Sequence, residues 1–254
     1  MKFGNSNNYF IFITIKILEN KLLKTIKTIG LIGGTTWLST IDYYRIINQE
    51  VNRQLGGLHS AKLLLYSIDF DDFRTLADAG DWGKLTEWFA GIAKELQTAG
   101  AEVIVLCANT LHLMVPELEQ LVQIPIIHVA DVTVSELCSQ NIRKTALLGT
   151  KFTMDATFFK DKLLQHDIEL MLPDADERRY INQSIFDELD RGLLLTETRA
   201  RYLAIIQNLI EKGAEAVILG CTEIPLLIKP EDCTIPVFDT TLIHAKAAAR
   251  FALT

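Results

Sequence analysis

The amino-acid sequence predicts an α/β fold made of two pseudo-symmetric parallel-sheet domains, with a candidate active site in the cleft between them. Three observations carry this expectation. From Lys27 onward, short apolar runs ending in Gly, Asn or Thr alternate with longer stretches of helical period, the pattern of βαβ units. Those runs lack strict apolar–polar alternation, as strands buried on both faces do. The chain also repeats itself: "TIGLIGGT" (28–35) is echoed by "TALLGT" (145–150), "GAEVIVLCANT" (100–110) by "GAEAVILGCTEI" (213–224), and "IPIIHVADVT" (124–133) by "IPVFDTT" (235–241). The spacing agrees as well, Cys107 lying 74 positions after Gly33 and Cys221 lying 72 after Gly149.

Taken in order, strands are expected at 28–33, 61–68, 102–107, 125–129, 145–149, 168–172, 216–220 and 235–238. Between the first two, 40–57 carries Tyr44, Ile47, Val51 and Leu55 at helical spacing, with Ser39 or Thr40 as cap and Gly56-Gly57 as stop. The stretches 85–100 and 196–214 read as further helices, ending at Gly100 and Gly213. The charged run "PDADERR" (173–179) reads as a solvated turn opening a helix, so Asp174 and Asp176 are not taken as a catalytic pair. The division expected is an N-terminal extension (1–27), a first domain of 28–130 completed by 236–254, and a second of 131–235.

Composition narrows the function. The 254 residues, 49% hydrophobic and 22% charged, are enough for large buried cores. A net charge of −7 without a Lys/Arg block argues against nucleic acid and for a small-molecule ligand. Four cysteines at 107, 138, 221 and 233 form no CxxC pair and no zinc spacing, which reads as reduced thiols in the cytoplasm. The apolar run "NYFIFITIKIL" (8–18) is too short to span a membrane and lacks a cleavage site after it, so neither an anchor nor a signal peptide is expected.

Open α/β sheets bind ligands at the C-terminal ends of their strands, and that is where the candidate residues fall. "GLIGGTTW" lacks the later glycines and acid of a dinucleotide fingerprint and reads as a strand-to-helix turn, compatible with a loop that holds a carboxylate. Cys107 and Cys221 each end a buried strand and precede a helix start, at Asn109-Thr110 and Thr222-Glu223, where the helix dipole favours thiolate. Cys138 and Cys233 lack that setting. Arg53 is either solvent-facing or a carboxylate clamp. His112, His128 and His244 are too scattered to suggest a metal, and none is expected.

"IGLIGGTTW", "LGGLHSA", "LCANTLH", "ALLGTKFTM" and "LGCTEIPLL" occur together and in this order. With them the chain resembles the aspartate/glutamate racemase family, over about residues 26–254, and within it the cofactor-free amino-acid racemases of broad or acidic specificity. The resemblance implies two α/β domains, an interdomain site, a homodimer, no pyridoxal phosphate and an amino acid as substrate, aspartate or glutamate first. It also implies two thiols exchanging the roles of base and acid at the α-carbon. Asn109, Thr110, Thr222, Thr36 and Thr150 would then stabilise the carbanion and its carboxylate, and Glu223 would orient the ammonium group or the cysteine.

One position departs from the family pattern. Where two-thiol members commonly carry cysteine directly before Asn-Thr, this chain has Ala108, with Cys107 one place earlier. A one-residue shift in a strand turns a side chain to the opposite face. Cys221 is then the thiol at the α-carbon, and Cys107 either lies in the core or reaches in through a bulge. The superfamily's other carbanion reactions, namely hydantoin racemisation, maleate isomerisation and malonate decarboxylation, stay open as alternatives. So does an amino-acid-binding protein with weak turnover.

Overall fold

The computed structural model describes residues 26–254; the 8–18 run lies outside the described residues. The first half runs β1 (Thr28–Gly33), α1 (Trp37–Leu55), β2 (Lys62–Ser67), α2 (Phe70–Asp78), α3 (Trp82–Thr98), β3 (Val103–Leu106), a 3-10 turn (Asn109–Met114) and α4 (Val115–Leu121). The second runs α5 (Val129–Ser139), β4 (Lys144–Gly149), α6 (Lys151–Asp155), α7 (Thr157–Leu164), β5 (Glu169–Met171) and α8 (Ala175–Asp187). It continues with a 3-10 turn (Leu189–Arg191), α9 (Thr196–Glu211), β6 (Ala216–Gly220), α10 (Ile224–Leu227), a 3-10 turn (Pro230–Asp232) and β7 (Val237–Asp239). The closing helix α11 (Thr240–Ala252) returns to the first half.

Both sheets are wholly parallel, in the orders β2-β1-β3 and β5-β4-β6-β7. The repeat seen in the sequence is a repeat of bonds. Glu102 accepts from the Thr28 amide at 2.9 Å and donates its own amide to the Thr28 carbonyl at 2.8 Å. Glu215 does the same for the start of β4, accepting from the Arg143 and Lys144 amides and donating to the Lys144 carbonyl. The shared "GAE" thus ties each central strand to its neighbour.

The expected strand at 125–129 is absent. Pro125 and Ile127 bond to Ile104 on either side of a single parallel bridge, Ile104 to Ile126. Pro236 bonds to Val217 in the same way, but there the pairing extends into β7. The first half stops short because His128 takes the N-cap position of α5, its Nδ1 accepting from the Ala130 amide, and turns the chain into a helix. Although 236–254 was grouped with the first domain, β7 pairs within the second sheet. Only α11 crosses, its Ala245, Ala248 and Ala249 packing on Ile29, Leu31 and Val105. Conversely, α5 packs with Leu147, Phe159 and Ile218 of the second half.

In α1 the expected Ile47 and Val51 are buried and Leu55 is half-buried, but Tyr44 is 55% exposed and Tyr43, 1% exposed, takes its place beside Ile46. The helix begins three residues earlier than Thr40. Gly56 ends it at φ +73°, as a residue without Cβ allows. The "PDADERR" run opens α8 with a capping box between Asp174 and Glu177.

Candidate active site

At the C-terminal edge of both sheets lies a cavity of about 280 Å³. Its lining includes Thr36, Ala108, Asn109, Thr110, Thr150, Cys221, Thr222 and Glu223, eight residues expected from the sequence. Two others are not there. Arg53 stands at the far end of α1, its guanidinium forked onto Glu50 at 2.9 and 2.7 Å. That fork holds the Glu50 carboxyl down at about 2, so Arg53 is a partner for a buried acid and not a ligand clamp. Cys107 is fully buried against Ile29, Leu31, Tyr43 and Ala245 on the opposite side of the sheet.

The strand registers explain the fate of Cys107. Ile32 pairs with Leu106, and its counterpart Leu148 pairs with Leu219. Counting on from those leucines, Cys107 corresponds to Gly220, and Ala108 to Cys221. Ile104, Leu106 and Ala108 share one face of the first sheet, while Val103, Val105 and Cys107 share the other. Ala108 keeps an extended backbone (φ −153°, ψ 143°), so no bulge brings Cys107 round. At Gly220 a Cβ would meet Leu147 Cδ1 at 2.7 Å, so the second half has no room for a side chain where the first carries its cysteine. Burial pushes the Cys107 thiol well up.

Cys221 sits among acceptors. Its thiol donates to Glu223 Oε2 at 3.0 Å, the Thr222 hydroxyl donates to the same oxygen at 2.6 Å, and the Thr36 hydroxyl donates to Oε1 at 2.9 Å. Glu223 therefore bridges the two halves beneath the cavity. The expected thiolate at a helix N-terminus is not what forms: burial first, then the charges of Glu223 and Asp190, hold the Cys221 pKa well above the ordinary thiol value. The helix that follows, α10, is a single turn, too short for its dipole to outweigh burial.

The loop after β1 is latched rather than capped. Thr36 is the N-cap of α1 but makes no capping bond with its side chain. Ser39 and Thr40, expected as caps, lie inside the helix and donate to the Thr36 carbonyl, while Thr40 Oγ1 accepts from the Gly34 amide at 2.9 Å. The Thr36 hydroxyl is thereby released for Glu223. Asn109 Nδ2 donates to Thr240 Oγ1 at 3.0 Å, which fixes the amide and leaves Oδ1 buried without a partner. The Thr35 hydroxyl is likewise buried and unpartnered. Buried polar atoms normally find hydrogen bonds, so these two are suited to a bound ligand. Thr110 and Thr150 meet across the halves at 3.4 Å.

The same cavity is also lined by Phe73, Arg74, Phe152, Phe186 and Asp190, with Lys151 and Asn182, none of them among the expected residues. Arg74 follows the C-terminal end of β2 by one helical turn, where the strand-end rule points. Asp190 follows a helix, and nothing in the sequence marks it. Among the described residues no cluster of His, Cys, Asp and Glu is arranged to hold a metal.

The Asp/Glu/hydantoin racemase family model matches residues 32–248. The chain belongs to that family. A solved protein of Yersinia pestis, provisionally assigned as an Asp/Glu racemase, is 45% identical with a TM-score of 0.85, covering 90% of this chain and 100% of that one. An aspartate racemase homologue from Pyrococcus horikoshii is 36% identical with a TM-score of 0.77, covering 89% of this chain and 99% of that one. The broad specificity amino-acid racemase RacX of Bacillus subtilis is 24% identical over 155 residues, 61% of this chain and 66% of that protein. The expected fold and the expected class, an isomerase of the cofactor-independent amino-acid racemase kind, are those of this family.

Proposed function

We propose that the protein exchanges and inverts the α-proton of an acidic amino acid, aspartate or glutamate, with Cys221 as its one cleft-facing thiol. The observation that carries this is the Cys221–Glu223 hydrogen bond at the cavity floor, beside the unpartnered Asn109 Oδ1 and Thr35 hydroxyl. Cys221 passes its proton to the Glu223 carboxylate, and the resulting thiolate takes the α-proton. The electron pair left on carbon spreads into the substrate carboxylate, where the Thr35 hydroxyl and backbone amides donate to it. Asn109 Oδ1 accepts from the ammonium group. Return of the proton to the same face regenerates the substrate, and delivery to the other face gives the enantiomer. On that face Ala108 has no proton to give, so delivery falls to water or a threonine hydroxyl. The superfamily's other carbanion reactions and a pure binding role are not favoured by the relatives.

The test is incubation with each enantiomer of aspartate and glutamate in deuterated water, following α-deuterium and optical inversion separately. One cleft thiol gives α-exchange chiefly in one enantiomer, with inversion slower than exchange. Binding with no exchange would overturn the enzymatic reading. Cys221→Ser should lower exchange by about a hundredfold or more, the scale of a lost acid–base group.

The reading extends to two structural α/β domains and to a homodimer in the cytoplasm. The four cysteines are free, as reduced thiols would be. Trp37, Ile41 and Tyr44 form an exposed stripe along α1, and Leu65 and Tyr66 are exposed on the edge strand β2. No helix among the described residues is long and apolar enough to cross a membrane. Light scattering of the purified protein checks the dimer.

A further inference from the structure

Beyond the expected residues, the cavity lining holds two charged side chains of opposite sign. Arg74 comes from α2 in the first half, its guanidinium 5.0 Å above the Phe186 ring and 3.5 Å from the Asp78 carboxylate one turn along its own helix. Asp190 comes from the 3-10 turn of the second half and lines the same cavity. Its carboxyl has no hydrogen bond from any described residue, although the side chain is largely removed from water. A carboxyl in that position must be satisfied by what enters the cavity, or stay neutral.

We propose that Asp190 is a specificity-determining residue: it competes with the substrate's side chain for Arg74, and so sets how far a distal carboxylate is preferred over an uncharged side chain. This rests on the racemase reading for the orientation of the substrate, whose α-carbon lies at Cys221 and whose side chain points toward Arg74. With Asp190 ionised, a distal carboxylate meets a like charge in a space of low dielectric, and Arg74 is already partly neutralised. A carboxamide then fits better, its oxygen accepting from Arg74 and its amide donating to Asp190. With Asp190 protonated, the carboxyl becomes a donor, and a dicarboxylate is held by both residues.

The surroundings bring the exchange between the two forms to neutrality. Burial first, then the charge of Glu223, push Asp190 up to about 7, against the opposing pull of Arg74. The charged and titratable groups around it are Arg74 and Asp78 from α2, Cys221 and Glu223 from the turn after β6, and Lys151 from α6. Glu188 and Arg191 are its neighbours in the chain. Raising the pH through neutrality therefore moves the preference away from acidic side chains.

The experiment measures dissociation constants of L-glutamate and L-glutamine by calorimetry between pH 6 and 8.5, for the intact protein and for Asp190→Asn, with α-exchange followed in parallel. In the native protein the affinity ratio of glutamate to glutamine should fall about tenfold over this range. In Asp190→Asn the ratio should be flat with pH and about tenfold higher at pH 8.5. A native ratio that does not change with pH overturns the proposal without recourse to the variant. So does a variant that keeps the native pH dependence, or a native protein that binds neither ligand. If the ratio behaves as expected but no amino acid exchanges its α-proton, the racemase reading fails and the role of Asp190 stands.

Discussion

One residue decides how symmetric the chemistry is. Ala108 occupies, in the first sheet, the position that Cys221 occupies in the second, and both line the cavity. Ala108→Cys should supply the missing thiol and bring inversion up toward the rate of exchange, measured from both enantiomers in deuterated water. If inversion stays as slow as in the native protein, the register argument for the second acid–base position is wrong. Cys107→Ala is the complementary case. It removes a buried sulfur from the apolar layer between β3, α1 and α11, so it should cost about 1–2 kcal/mol of stability in urea unfolding. The exchange rate should remain within about twofold, and a much larger loss would put Cys107 in the site after all.

Elements show how much of this was legible in the sequence. The central strands were readable because runs such as "AVILG" are buried on both faces and leave no other element open to them. The 125–129 run reads equally apolar, yet its outcome turned on a tertiary detail, the capping of α5 by His128, that no local pattern shows. Within the site, most residues at strand ends were found, although Thr35 beside the expected Thr36 was not, and those contributed by helices were missed. Asp190 and Phe186 are brought in by the packing of α8 and its following turn, which sequence periodicity does not fix in space. Gly34 shows how one backbone position holds a site element. Its φ is +100°, and a Cβ there would meet the Ile68 carbonyl oxygen at 2.2 Å. Gly34→Ala should therefore destabilise the fold by well over about 1 kcal/mol and displace Thr35 and Thr36, lowering exchange as well. Gly57→Ala is the control, with φ +58° and nothing within 4 Å. It should cost only the backbone strain, about 1 kcal/mol, and leave exchange intact.

At the scale of the whole molecule, the seam where α11 crosses back to the first half is built around three histidines. His112 lies 4.7 Å ring to ring from His128 and 5.2 Å from His244. His244 Nε2 donates to the Ile127 carbonyl at 2.7 Å, and with the ring kept neutral by burial its Nδ1 accepts from the Tyr43 hydroxyl at 2.7 Å. Burial lowers all three, His128 and His244 to about 4. Below the ordinary histidine value of 6.5 the unfolded chain takes up protons that the folded chain refuses, so stability present above pH 6.5 is lost as the pH falls toward 4. A shift of this size is about 3 kcal/mol for a single fully buried ring. Asp190 and Asp239 work in the opposite direction, since burial raises both carboxyls and penalises the fold as the pH rises above the ordinary carboxylate range, for Asp190 up to about 7, but they are two groups against three. Urea unfolding should therefore show stability falling from pH 6.5 to 4, with a net uptake of protons on unfolding. Glutamine at position 244 keeps a donor for Ile127 and an acceptor for Tyr43 without a titratable ring, so His244→Gln should remove about one proton from that uptake. An unchanged pH slope in this variant would mean that acid loosens the molecule somewhere other than the seam between its halves.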